Sequence, residues 1–242
     1  MADTGAAPHL TRLTFHGPLS EIRAARLVER LARESPATVL DLGCGWGELM
    51  LRVLEAVPGA TGVGIDLNDH DLARGRANAS ARGLAERAEF VRQSATGITH
   101  VPADVVLCLG ASQALSDAQP PRHVTEALHA LRGLVTTGGR VVFGEGFWER
   151  PPAPAELSAM WPGAAATEFS DLAGLVDLAV DAGFRPEWIE VASLDEWDEF
   201  ESGYQADVQE WLAANDDPRT RATARVTRPW VLEAQAGRAP DR

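Results

Sequence analysis

Val39-Leu40-Asp41-Leu42-Gly43-Cys44-Gly45-Trp46-Gly47 carries a short apolar strand into a glycine-rich turn, and a helix follows to about Val57, stopped by Pro58-Gly59. Glycines allow a tight turn and let a ligand lie against bare backbone. In an open parallel sheet, ligands bind beyond the carboxyl ends of the strands at the topological switch point, and the first strand normally borders it. A dinucleotide fingerprint would carry glycine five residues after Gly43, but Glu48 stands there. The motif is instead acid-x-G-x-G-x-G, opened by Asp41. An acid beside the turn suits a cationic ligand and disfavours a pyrophosphate. Asp66 ends the next strand nineteen residues after Gly47, and an acid near that offset can accept hydrogen bonds from both ribose hydroxyls. The site asks for a positively charged nucleoside with no required phosphate.

Outward from this stretch the strand–helix pattern repeats. Strands are expected at Thr38–Leu42, Gly62–Asp66, 88–93, Asp104–Leu109 and Arg140–Glu145. Helices are expected over 18–34, with Pro18 at its first position, and over about Asp69–Arg82 and 121–134. Near-continuous apolar strands alternating with helices give an α/β fold, a parallel sheet covered on both faces. The prolines of 150–163 mark an irregular insertion. A helix capped by Ser170 should end at Gly183, a sixth strand should run Pro186–Ser193, and Trp197, Phe200, Tyr204, Val208 and Trp211 give one face of a helix over 194–213.

Composition narrows the function. The 242 residues are 45% hydrophobic, enough for a sizeable core, and the formal net charge is −13. An acidic surface repels phosphate backbones and anionic membranes. Every basic residue of the Lys+Arg total is arginine. The absence of lysine excludes P-loop, Schiff-base and protein-kinase chemistry and the Tyr-x-x-x-Lys pair of short-chain reductases. Cys44 and Cys108 cannot build a disulfide framework or a cysteine zinc site, which favours a reducing cytosol. No apolar stretch is long enough to span a bilayer and no signal peptide is visible, so a cytoplasmic protein is expected.

Residues 38–47 closely resemble the first motif of the class I methyltransferases that use S-adenosylmethionine, and Gly64-Ile65-Asp66-Leu67 resembles their second. The resemblance covers roughly 36–193. It implies a Rossmann-like, doubly wound sheet of strand order 3-2-1-4-5-7-6. It also implies roles for the cofactor: Gly43, Cys44 and Gly45 along the methionine part, Asp41 at its amino group, Asp66 at the ribose and Leu67 beside the adenine. The third strand usually ends in an acid that meets the adenine amine; here Ser94 or Ala95 takes that place, and Leu109 closes the fourth strand. The only candidate seventh strand is 227–232, short and proline-bearing. The implied organisation is an N-terminal segment and capping helix over 1–35, a methyltransferase domain over 36–213 and a poorly structured tail over 214–242.

Methyl transfer from a sulfonium is an in-line displacement, so the acceptor must lie by the ends of strands four and five. Gln113 can hydrogen-bond it and Phe147 and Trp148 can sandwich it. His16 and Glu145 are candidate catalytic residues, read otherwise as a turn histidine and a strand-end carboxylate capping a loop. The runs Phe15–Ser20, Cys108–Ser112 and Gly144–Trp148 look like a bacterial subgroup of small-molecule methyltransferases. Expected partners are a small-molecule acceptor, no nucleic acid and no membrane, with the chain a monomer or homodimer and no metal. Asn68-Asp69-His70-Asp71 resembles a metal cluster in composition only. The competing classes are a cofactor-binding module without catalysis and a nucleotide-dependent oxidoreductase; the missing glycine counts against the latter.

Overall fold

The computed structural model describes residues 9–160 and 163–214. These fall into two compact units. One comprises Phe15–Glu149 and Phe169–Val191; the other holds the described parts of Met1–Thr14, Arg150–Glu168 and Ala192–Arg242.

The first unit is built on five strands: β1 (Thr38–Leu42), β2 (Thr61–Asp66), β3 (Ala88–Arg92), β4 (Ala103–Leu109) and β5 (Val135–Gly144). They form one sheet in the order β3-β2-β1-β4-β5, all neighbours parallel. Alternation along the strands divides the core in two. Val39, Val105 and Leu107 face a cluster containing Leu31 of α1 (Glu21–Arg33), Met50, Leu51 and Leu54 of α2 (Glu48–Ala56) and Leu72 of α3 (Asp69–Ala81). Leu40, Leu42, Val106 and Cys108 face a second cluster with Ala127, Leu131 and Leu134 of α4 (Arg122–Leu134). Each fully buried leucine contributes roughly 1.5–3 kcal/mol. The two-sided coverage explains why β4 reads as an almost uninterrupted apolar run. α6 (Leu172–Asp181) adds Leu175 and Leu178 against Val124 and Leu128 of α4.

Helix starts follow side-chain capping. Ser20, not Pro18, opens α1, its Oγ accepting from the Arg23 N–H. Asp171, one residue after the expected Ser170, caps α6 by accepting from the Gly174 N–H at 2.8 Å. Asn68 caps α3, accepting from His70 and Asp71. β5 begins five residues earlier than expected, because the Gly138-Gly139 turn is absorbed as an irregularity opposite Ala103–Val105 rather than preceding the strand.

The sheet order agrees with the expectation as far as its fifth strand, and Pro186–Ser193 departs from it. Those residues form no strand. A strand requires a backbone ladder, and this stretch is held by side chains instead. The Arg30 guanidinium lies 3.4 Å over the Trp188 ring, Arg23 pairs with Glu190 at 3.1 Å and Arg140 with Glu187 at 3.3 Å. The segment 227–232, expected beside it, lies outside the described residues.

In the second unit, the expected irregular stretch 150–163 contains α5 (Pro154–Ala159), whose Glu156 accepts from the Ala153 N–H. α7 (Leu194–Ala214) opens on a reciprocal cap: Ser193 donates its N–H to Glu196, and the Glu196 N–H donates to Ser193 Oγ. Asp207 is buried beneath residues 11–12, accepting from both their backbone N–H groups and from the Thr11 hydroxyl. Leu13 lies against Gly203, where a Cβ would come within 2.5 Å of it. The aromatic face of α7 is half-buried, Trp197 meeting Phe200 edge-on at 6.1 Å. Among the described residues no helix is long and apolar enough to cross a membrane.

Candidate functional site

The turn between β1 and α2 is wound through three left-handed glycines, Gly43, Gly45 and Gly47. Its N–H groups point back into the protein. Gly43 and Cys44 both donate to the Ile65 carbonyl (2.9 and 3.0 Å), Gly45 to Asp66 Oδ2 (2.8 Å) and Gly47 to the Cys44 carbonyl (2.8 Å). A phosphate site needs exactly such groups free at a helix start; here they are engaged. Glu48, where a dinucleotide fingerprint would need glycine, is buried and paired with Arg52 at 2.8 Å and Arg82 at 2.6 Å, tying α2 to the end of α3.

Two carboxylates flank the turn. Asp41 is held inside the sheet, in register with Gly64 on one side and Leu107 on the other, and only 6% exposed. Among the described residues no donor and no cation meets it. Burial first, and the Asp66 charge second, push its carboxyl up to about 7. Asp66 is oriented at both oxygens, Oδ2 by the Gly45 N–H and Oδ1 by the Asn68 N–H at 2.9 Å. The arrangement is a pair of carboxylates with no counter-charge among the described residues, the electrostatics a cationic ligand satisfies. A ligand bringing an ammonium group for Asp41 and hydroxyls for the remaining lone pairs of Asp66 fits this donor and acceptor set. Cys44 does not act as a nucleophile here: burial and the nearby Asp41 and Asp66 charges hold its thiol protonated.

The structure brings the other candidates to this face of the sheet in stages. Leu67 follows Asp66 and is 62% exposed. The Gln93 N–H donates to the Asp66 carbonyl at 3.1 Å, which brings Ser94 and Ala95 alongside; Ala95 is buried, and Ser94 Oγ accepts from the Thr96 N–H. Leu109 ends β4 opposite Gly144. His16 is exposed and stacks on Trp46 at 5.3 Å, its Nδ1 3.4 Å from where a Gly45 Cβ would stand, so it lies at the glycine turn.

At the ends of β4 and β5, the Gly110 N–H donates to the Gly144 carbonyl at 2.8 Å. Gln113 is exposed and its Nε2 donates to the Gly110 carbonyl at 3.2 Å. Glu145 accepts from the Gly146 N–H through Oε1, while Oε2 is buried and unpartnered among the described residues. Phe147 and Trp148 are half-buried. Phe169, which carried no signal in the sequence, joins them: it meets Trp148 edge-on at 5.4 Å and sits against Gly146, and the Trp148 N–H donates to the Ser170 carbonyl. Ser112 and His123 are also buried there with unpartnered polar atoms. Ser112 belongs to a run of small residues visible in the sequence; His123 carried no signal. A depression of about 550 Å³ beside Thr61, Arg87 and Ala88 lies at the opposite, amino ends of β2 and β3, where Arg87 Nη1 donates to the carbonyls of Leu54, Val57 and Ala60. It takes no part in this chemistry.

Gly43 is the tightest point of the turn. A Cβ there would stand 2.4 Å from the Ala111 Cβ at a backbone φ of +66°. Gly43→Ala is expected to destabilise the protein by about 2–4 kcal/mol, from left-handed strain plus overpacking. A thermal melt would register this as a fall of roughly 5–15 °C; an unchanged midpoint would mean that the turn opens freely.

A family model described as a methyltransferase domain matches residues 39–133. The Escherichia coli K12 protein YjhP, itself uncharacterized, is 31% identical over 214 residues, covering 88% of this chain and 83% of that protein. A SAM-dependent methyltransferase from Geobacter sulfurreducens, crystallised with S-adenosyl-L-homocysteine, superposes with a TM-score of 0.79 at 25% identity, over 94% of this chain and 92% of that one. A SAM-dependent methyltransferase from Thiobacillus denitrificans, also in complex with S-adenosyl-L-homocysteine, gives 0.76 at 26% identity, over 92% and 90%.

Proposed function

The chain belongs to the class I S-adenosylmethionine-dependent methyltransferases, and from that premise we propose that it transfers a methyl group to a small-molecule acceptor by in-line displacement. The observation that carries the reading is the pairing of a turn whose N–H groups are all engaged internally at Gly43, Cys44, Gly45 and Gly47 with a buried, uncompensated Asp41. That combination suits a charged sulfur nucleoside and rejects a pyrophosphate.

When bound, S-adenosylmethionine supplies an electrophilic methyl on a sulfonium, with a leaving group that needs no further activation. The protein's task is alignment, which can lower a barrier by roughly 7–11 kcal/mol. In this reading Asp41 holds the amino group and Asp66 the ribose. The backbones of Gly43, Cys44 and Gly45 line the methionine part. Leu67, Ser94, Ala95 and Leu109 surround the adenine and its approach. Gln113, Phe147 and Trp148 hold the acceptor, while His16 and Glu145 accept a proton where the acceptor must lose one. Residues 1–35 would form a capping segment and 36–213 the catalytic domain, with 214–242 a tail, in a cytoplasmic monomer or homodimer.

Isothermal titration calorimetry tests this directly. Saturable binding of S-adenosylmethionine and S-adenosylhomocysteine is expected, with no binding of NAD. Binding of NAD without the sulfonium compound would overturn the assignment. Cofactor binding without methyl transfer to any member of a small-molecule panel would reduce the protein to a binding module.

A further inference from the structure

Beyond the glycine turn, three buried polar atoms lack a hydrogen-bond partner among the described residues of this unit: Ser112 Oγ, His123 Nδ1 and Glu145 Oε2. Ser112 is 0% and His123 6% exposed. Leaving a buried polar group unsatisfied costs roughly 1–3 kcal/mol, so such groups call for an explanation.

They share one region. Ser112 opens a single 3-10 turn after β4, and that turn packs against α4. Its neighbour Ala111 is the residue a Gly43 Cβ would strike, which sets Ser112 next to the cofactor turn. His123 lies in the first turn of α4, four residues before Ala127 and on the same helix face. Ala127 packs with Ala111, Leu115 and Cys108. α4 leaves from the carboxyl end of β4, so its first turn lies at the ligand-binding end of the sheet. Glu145 directly follows Gly144, whose carbonyl takes the Gly110 N–H. Burial pushes the Cys108 thiol up to about 12, and the charges of Asp41 and then Glu145 add to it. Neither Asp41 nor Glu145 has an ion-pair partner among the described residues.

We propose that Ser112, His123 and Glu145 form the inner wall of the acceptor site and select a head group that donates hydrogen bonds, an amine or a hydroxyl, against an anionic acid. The proposal rests on the methyl-transfer reading above. Its chemistry follows from the groups themselves. A hydroxyl and an imidazole nitrogen can each accept or donate, and a carboxylate oxygen only accepts. With Asp41 taken by the cofactor's ammonium, the unpartnered Glu145 carboxylate is left to repel an incoming anion. Phe147, Trp148 and Phe169 supply an apolar flank for the body of such a molecule.

The test uses the full chain and labelled S-adenosylmethionine with a panel of alkylamines, phenols and carboxylic acids. Transfer to an amine or phenol is expected and transfer to acids is not. In Ser112→Ala and His123→Leu, acceptor KM should rise about tenfold, the effect of one lost hydrogen bond to a ligand, while cofactor Kd by calorimetry is unchanged. His123→Asn, which returns an acceptor near the Nδ1 position, should restore most of the loss. Glu145→Gln should relax discrimination against the acids. Should His123→Leu fail to fold, Ser112→Ala and His123→Asn carry the same comparison. Preference for acids, no transfer to any amine or phenol by cofactor-bound protein, or an unchanged KM in these variants (the result if the atoms bind only internal water) overturns the proposal alone. Absence of S-adenosylmethionine binding overturns the methyltransferase reading and this one with it.

Discussion

Asp66→Ala weakens cofactor binding by about 100-fold or more while the protein still melts cooperatively. The size follows from charge-assisted hydrogen bonds, each worth roughly 1.5–3 kcal/mol, since the carboxylate would serve two ribose hydroxyls. It also follows from preorganisation: the Gly45 N–H that now ends on Asp66 Oδ2 would be freed, and the turn would lose its link to β2. The fold tolerates the change because Asp66 is half-buried at a strand end and Asn68 caps α3 with its own side chain. Asp66→Asn keeps one acceptor oxygen and should lose only about tenfold. Calorimetric titration of S-adenosylhomocysteine distinguishes these results, and equal affinity in all three proteins would remove Asp66 from the site.

What could be read from the sequence was what local chemistry dictates. The apolar runs of β1, β2 and β4 read as strands buried on both faces, and the glycine turn after β1 admits few conformations, so these strands and the positions of Asp41 and Asp66 were legible from the residues, while their order in the sheet came from the family resemblance. Asp171 replaced Ser170 as a cap because two adjacent capping residues are equivalent on paper. Pro186–Ser193 alternates like a strand, yet its Glu190 and Glu187 carboxylates pair with Arg23 of α1 and Arg140 of β5 and hold it there without a ladder. The aromatic cluster beyond β5 was half legible: Phe147 and Trp148 adjoin a strand end in the sequence, whereas Phe169 arrives from a distant part of the chain. His123 is one polar residue on an otherwise apolar stripe, and periodicity treats such a residue as noise.

The pH dependence of cofactor binding isolates Asp41. Burial pushes its carboxyl up to about 7 in the folded protein, against 3.8 for an ordinary aspartate. The folded state therefore holds a proton that the unfolded chain releases. The associated stability is fully present below about pH 4 and is lost as pH rises to about 7, a difference of up to roughly 4 kcal/mol. Asp41→Asn mimics the protonated form, so it should melt higher than wild type at pH 8, with the gap closing as pH falls toward 4. Binding reverses the preference, because the cofactor's ammonium needs the ionised carboxylate. Wild-type affinity should decline as pH drops below 7, by up to about tenfold per unit. At pH 6 binding should release close to one proton, seen as an enthalpy that varies with the ionisation heat of the buffer. The asparagine variant should release none and bind S-adenosylmethionine about 10–100-fold more weakly at pH 8, the effect of one buried charged contact. A residue that destabilises the empty protein and is stabilised only by ligand is the pattern of a site kept for function. A wild-type binding enthalpy indifferent to buffer at pH 6 would mean that Asp41 never meets the cofactor's charge.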